Sequence, residues 1–244
     1  VAKSGTIYSQ SCVSNVTIED VAAASDGPKM FQAYTFRDRA ITRDFMARIK
    51  DAGFEALCLT YDVPVPGMRE RDLHYGLKVP PEFSLNALLQ FAIRPGWVWR
   101  YLMGPKFVMG NIQKHLKESD ADLSTIIKFV ANQFDPTATW KDAEELIADW
   151  DGPVAIKGIM TAADTQRARD VGATAVIVSN HGGRQLDGAP AAVDRLETVV
   201  DAAAGEMEVI LDGGIRRGQH VVKALALGAD ACMIGRPYIY GMGA

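Results

Sequence analysis

With 244 residues, 48% of them hydrophobic, and a formal charge of −4, the chain can bury a large core and suits a single domain of α/β-barrel size. No apolar run approaches the roughly 20 residues that cross a bilayer, and no basic excess marks a nucleic-acid partner. Cys12, Cys58 and Cys232 each lie inside or at the end of an apolar run, with no CxxC and no His cluster nearby. They read as buried thiols of a cytoplasmic, soluble enzyme, neither disulfides nor metal ligands.

In chain order, seven short apolar runs read as strands: Thr6 to Ser11, Met30 to Tyr34, Ala56 to Thr60, Val154 to Gly158, Ala175 to Ser179, Val209 to Asp212 and Ala231 to Gly235. Helical patterns separate them. Asp38 to Ala52 places Ile41, Phe45, Met46 and Ile49 on one face and stops at Gly53. Thr161 to Val171 starts on a capping Thr and stops at Gly172, and Gly218 to Leu227 stops at Gly228. Helices that close on a glycine just before an apolar strand indicate βα repeats and a parallel sheet. The near-regular spacing favours a TIM (β/α)8 barrel, with a doubly wound open sheet as the alternative. The chain opens on Val1 and no closing helix is evident after the last run, so an N-terminal strand and a C-terminal helix are expected to lie outside it.

A barrel gathers its functional residues at the carboxyl ends of the strands. Those ends carry Ser11; Gln32 and Tyr34; Thr60 and Asp62; Lys157; Ser179, His181 and Arg184; Asp212, Gly213 and Gly214; and Gly235 with Arg236. His181 and Arg184, three residues apart across a glycine pair, suit removal of a proton beside a carboxylate: a neutral imidazole takes the proton and a guanidinium forks onto the acid. DGGIRRG offers backbone N–H groups and Arg216 ahead of a helix, and IGRP adds Gly235 and Arg236 at the next strand. Together they suit a phosphate.

IKGI, VSNHGGRQLDG, DGGIRRG, ALALGAD and IGRP, with FQ-x-Y, LT-x-D-x-P-x-x-G-x-R-x-R-D and FDP-x-x-x-WKD, resemble the FMN-dependent L-2-hydroxy acid oxidases and dehydrogenases over nearly the whole chain. The resemblance implies FMN as cofactor and oxidation of an L-2-hydroxy acid to the 2-oxo acid. It implies His181 as base, Asp62 as the partner that steadies the imidazolium, Arg184 and Arg69 as carboxylate clamps, and Tyr34 as a hydroxyl donor to substrate. Ser11, Gln32, Thr60, Lys157 and Ser179 would contact the flavin, and Asp212, Gly213, Gly214, Arg216, Gly235 and Arg236 would serve ribityl and phosphate. Ala33, where the family usually has Leu, and Tyr61, where Val is common, depart from the pattern beside the functional positions.

The interval from Asp62 to Val154 breaks the spacing and reads as an insertion at about 63–153 within a single FMN-binding domain. Its 83–117 part holds Arg94, Arg100, Lys106, Lys114 and Lys117, no acidic residue, and an apolar and aromatic run interrupted by Pro95. Basic residues beside interfacial aromatics suit peripheral contact with the anionic inner face of a membrane; a loop packed on the barrel or in an oligomer interface is the other reading. The expected partners are a small 2-hydroxy acid, further copies of the chain in a homo-oligomer, and quinone, cytochrome or dioxygen as electron acceptor. Two rival functions remain open at this point, another phosphate-binding barrel such as an isomerase and a cofactor-free remnant acting as an interaction module. A barrel short of a strand is also expected to be weakly active by itself.

Overall fold

The computed structural model describes residues 4–65, 67–70, 74, 84–104, 108–116 and 123–243. Phe83, Lys106 and Lys117 of the basic aromatic segment, and Arg71 and Asp72 of the LT-x-D motif, lie outside these. The chain divides into two compact units, one of Val1–Cys12, Ile18–Met68 and Phe134–Ala244, the other of Val13–Thr17 and Arg69–Gln133.

The first unit is built on seven parallel strands in sequential order: β1 (Tyr8–Ser11), β2 (Lys29–Tyr34), β3 (Ala56–Thr60), β4 (Val154–Ile159), β5 (Ala175–Val178), β6 (Glu208–Asp212) and β7 (Ala231–Met233). Its helices are α1 (Ile18–Ala24), α2 (Arg39–Asp51), α6 (Trp140–Trp150), α7 (Ala162–Asp170), α8 (Val193–Ala203), α9 (Gly218–Ala226) and α10 (Arg236–Gly243). Sequential parallel order is the topology of a TIM barrel, and among the described residues β1 and β7 are the edges. The seven runs read from the sequence all become strands, with no end moved by more than two residues. A short helix, α10, follows β7 that the pattern does not announce. Its glycines and its lack of any buried side chain explain why the apolar periodicity does not announce it.

Strand pleat sorts the side chains. One face, with Phe31, Leu57, Leu59, Ile156, Val176, Val178 and Leu211 all buried, packs on the helices, where Phe31 meets Phe45 of α2 edge-on at 5.6 Å. The other face carries a small apolar cluster of Met30, Cys58, Ala155, Ala175 and Ile177. Two residues further along each strand, that face becomes polar.

The second unit contains α3 (Leu85–Ala92), α4 (Pro95–Met103) and α5 (Leu123–Gln133). Ser84 caps α3 by accepting from the amide of Ala87, and Pro95 sits in the first turn of α4, where its lost N–H has no cost. Phe91, Trp97 and Tyr101 stack in series, 5.5 and 5.3 Å between ring centres. No helix among the described residues is long and apolar enough to cross a membrane.

Candidate active site

Ser11, Gln32, Thr60 and Lys157 are joined by the register of β1 to β4, in which Ser11 pairs with Gln32 and Thr60 with Lys157. The Ser11 hydroxyl donates to Gln32 Oε1 at 3.0 Å, and Gln32 Nε2 donates to Thr60 Oγ1 at 2.9 Å. Three adjacent strands therefore present a continuous polar row at their carboxyl ends. Beneath it, burial pushes the Cys58 thiol up to about 12, so that side chain is a neutral filler of the barrel interior.

A second chain of contacts runs through the charged residues. Lys157 Nζ donates to Asp62 Oδ2 and to Ser179 Oγ, each at 3.0 Å, and lies 3.6 Å from Asp212 Oδ2. Ser179 Oγ donates to Asp212 Oδ2 at 2.6 Å and accepts the backbone N–H of His181 at 3.0 Å. His181 Nδ1 lies 2.9 Å from Asp62 Oδ1. The Asp62 side chain is only 9% exposed and the His181 side chain 26%, a buried carboxylate under a partly open imidazole. Burial alone would raise the Asp62 carboxyl, but the hydrogen bond from His181 and the charge of Lys157 outweigh it and hold the group below its ordinary value.

His181 takes a left-handed backbone, φ +58°, which costs a non-glycine residue about 1–3 kcal/mol. The loop offsets this: Ser179 Oγ holds the His181 amide, and Asn180 binds both sides of the turn through Gly183 N and Pro190 O. Gly182 has φ +66°, a conformation that favours glycine, and its carbonyl accepts from Arg236 Nη2 at 3.2 Å. The Arg184 guanidinium makes no hydrogen bond or ion pair among the described residues. The Arg184 carbonyl packs on Gly67, where no side chain fits, and Gln185 donates to the carbonyl of Val65.

Tyr34 projects from the end of β2 against Phe134, ring centres 4.8 Å apart and nearly perpendicular. The two rings line a cleft with Thr60, Tyr61 and Pro136. Tyr61 accepts from the Thr35 hydroxyl, and burial pushes its phenol up to about 12. Arg69 is exposed and belongs to the second unit. The structure thus brings Asp62, Lys157, Ser179, His181 and Asp212 into one network, and Ser11, Gln32 and Thr60 into another. Sequence reading overlooks two contributors. Phe134 packs on Tyr34 from a long way along the chain, and Gly158 lies against Asp62; a glycine inside the IKGI strand is the signal that marks the second.

The residues fit FMN. Side-chain amide and hydroxyl groups on β1 to β3 suit the polar edge of an isoalloxazine, and the Lys157 ammonium suits the developing charge of its reduced form. The Arg216 side chain makes no hydrogen bond or ion pair among the described residues, and a Cβ at Gly214 or Gly235 would meet nothing within 4 Å. That leaves an open cradle of backbone and guanidinium suited to a phosphate.

The FMN-dependent dehydrogenase family model matches residues 1–244, and the chain belongs to that family. It is 42% identical over 244 residues to an L-lactate dehydrogenase of Xanthomonas campestris pv. campestris (strain 8004), covering 100% of this chain and 63% of that protein. Over 243 residues it is 41% identical to an L-lactate dehydrogenase of Acinetobacter baumannii (strain AYE), covering 99% and 63%. Among solved structures, the monotopic membrane protein (S)-mandelate dehydrogenase superposes with a TM-score of 0.90 at 34% identity, over 98% of this chain and 63% of that one. A mandelate oxidase superposes with a TM-score of 0.75 at 38% identity, over 97% and 58%. The chain spans about 63% of the length of the curated relatives it matches.

Proposed function

We propose that the protein oxidises an L-2-hydroxy acid of the lactate or mandelate class to the 2-oxo acid. The observation that carries this reading is the 2.9 Å contact of His181 Nδ1 with Asp62 Oδ1. With Nδ1–H directed at a carboxylate, Nε2 is the basic nitrogen, and it takes one of the two protons the substrate loses. Asp62 steadies the imidazolium so formed. Bound FMN supplies the acceptor for the two electrons and the other proton. Arg184 forks onto the substrate carboxylate, with Arg69 as a second clamp, and the Tyr34 hydroxyl donates to substrate from the cleft it shares with Phe134. Ser11, Gln32, Thr60, Lys157 and Ser179 hold the ring, while Asp212, Gly213, Gly214, Arg216, Gly235 and Arg236 hold ribityl and phosphate.

The electron acceptor follows from the insertion. The stretch at about 63–153 is an insertion in a single flavin-binding domain, and within its 83–117 part α3 and α4 expose Leu85, Leu89, Ile93, Trp99, Leu102 and Met103 beside Arg94 and Arg100. An apolar and basic surface of this kind suits peripheral attachment to the inner face of a membrane, and so a dehydrogenase that delivers electrons to a quinone or cytochrome. A visible spectrum tests the function. Flavin absorbance that bleaches without oxygen on adding L-lactate or (S)-mandelate supports it. Flavin that never bleaches, or no flavin at all, rejects it.

A further inference from the structure

We propose that Gly158 is a positioning residue whose missing side chain makes the space that Asp62 occupies beneath His181. The inference rests on the proposed role of the Asp62–His181 pair and adds a residue to it. Three observations on β4 carry it. The pairing of β4 with β5 shifts between Lys157 and Ile159, so Gly158 is the extra residue of a β-bulge. Its φ is +102°, a conformation side-chain-bearing L-residues seldom adopt. A Cβ built on it would stand 2.8 Å from Asp62 Cβ, 3.1 Å from Asp62 N and 3.3 Å from Asp62 Cγ.

The bulge has consequences in both directions along the strand. Strict alternation would turn Ile159 to the same face as Lys157. With the extra residue, Ile159 instead pairs with Val178 and is buried, while Lys157 keeps its place facing Asp62. On the neighbouring strand the backbone is already fixed, because the Tyr61 amide donates to the Lys157 carbonyl at 3.1 Å. Asp62 follows immediately and has no latitude to retreat. A methyl group at 158 therefore forces either the Asp62 backbone or the bulge to move. Either movement lengthens the contacts of Asp62 with His181 at 2.9 Å and with Lys157 at 3.0 Å. Glycine here sets the geometry of the proton-handling pair.

The test uses Gly158→Ala, Asp62→Gly and the double variant in the full chain, with two readouts that do not depend on turnover. Carbon-13 NMR of the Asp62 carboxyl in Gly158→Ala should show its titration moved up, as weakened contact with the His181 hydrogen bond and the Lys157 charge implies; an unchanged titration overturns the proposal. Thermal melts give the second readout. Gly158→Ala should cost several degrees in the native background and clearly less in the Asp62→Gly background, where the Cβ it collides with is gone. Equal costs in the two backgrounds would show that the glycine serves only its own φ, and would overturn the proposal. If Gly158→Ala alone fails to fold, recovery of folding in the double variant supports it and failure of both contradicts it. A normal rate of flavin bleaching in His181→Gln, with the Asp62 shift still present in Gly158→Ala, would reject the base assignment and leave the positioning role standing.

Discussion

Asp62 joins His181 to Lys157 in the charged network, and its burial between them makes its titration matter to stability. Its carboxyl titrates below the ordinary value when folded, so it contributes stability that is present above its unfolded value of about 4 and is lost as pH falls through the lower folded value. Asp62→Asn should therefore melt below the native protein at neutral pH, and the gap should close as pH drops below about 4. Melts at a series of pH values check this; a gap that persists unchanged at pH 2 would mean the carboxylate's charge is not what stabilises the fold. Most of these side chains can be foreseen, because strand parity alone sets Ser11, Gln32, Thr60, Lys157 and Asp212 on one face. The bulge at Gly158 has only the glycine inside the IKGI strand to mark it, since alternation gives no notice of an inserted residue. The Phe134 contact with Tyr34 cannot be foreseen, since it depends on where a long insertion returns.

At the scale of elements, Arg39 at the start of α2 holds the segment that returns to the sheet. Its Nη2 lies 2.8 Å from Asp135 Oδ2 and 2.6 Å from Asp142 Oδ1, and its Nη1 donates to the carbonyl of Phe36. Asp135 also accepts from the Thr137 hydroxyl at 2.6 Å, and its carboxyl is held low by that bond first and by Arg39 afterwards. Asp142 accepts from the Thr139 amide at the start of α6. The FDP-x-x-x-WKD stretch is thus an anchor, and it sets Phe134 against both Phe36 and Tyr34. Arg39→Ala should lower stability by about 1–2 kcal/mol, discounted for the partial exposure of the guanidinium. It should raise the KM for the 2-hydroxy acid more than it lowers kcat, because it loosens the Tyr34 side of the cleft. Steady-state kinetics beside a denaturant titration would check both; unchanged KM would disconnect the anchor from the cleft. The amphipathic α2 is evident from its apolar spacing, whereas α1 has about two turns with only Ile18 buried and gives no such pattern.

At the scale of the molecule, each of the two units carries its own part of the proposed activity. The first sets a parallel sheet under a polar face, as the repeated strand-then-glycine pattern leads one to expect. The second exposes apolar and aromatic side chains on α3 and α4, and apolar periodicity cannot say which surface such helices cover. Vesicles containing anionic lipid should bind the protein, with salt weakening the interaction. Trp99→Ala with Leu102→Ala should weaken it at constant salt. Binding equal to that on neutral vesicles, or unaffected by the double substitution, would argue against the peripheral reading.

In the proposed reaction the His181 and Asp62 pair takes a proton from an L-2-hydroxy acid as electrons pass to flavin. The most direct measurement is anaerobic reduction of the bound flavin by L-lactate, followed by stopped-flow absorbance in the native protein and in His181→Gln. The native protein should bleach within the mixing experiment, and His181→Gln should retain its flavin and bleach slower by about two to four orders of magnitude. Bleaching at the native rate in His181→Gln would reject His181 as the base.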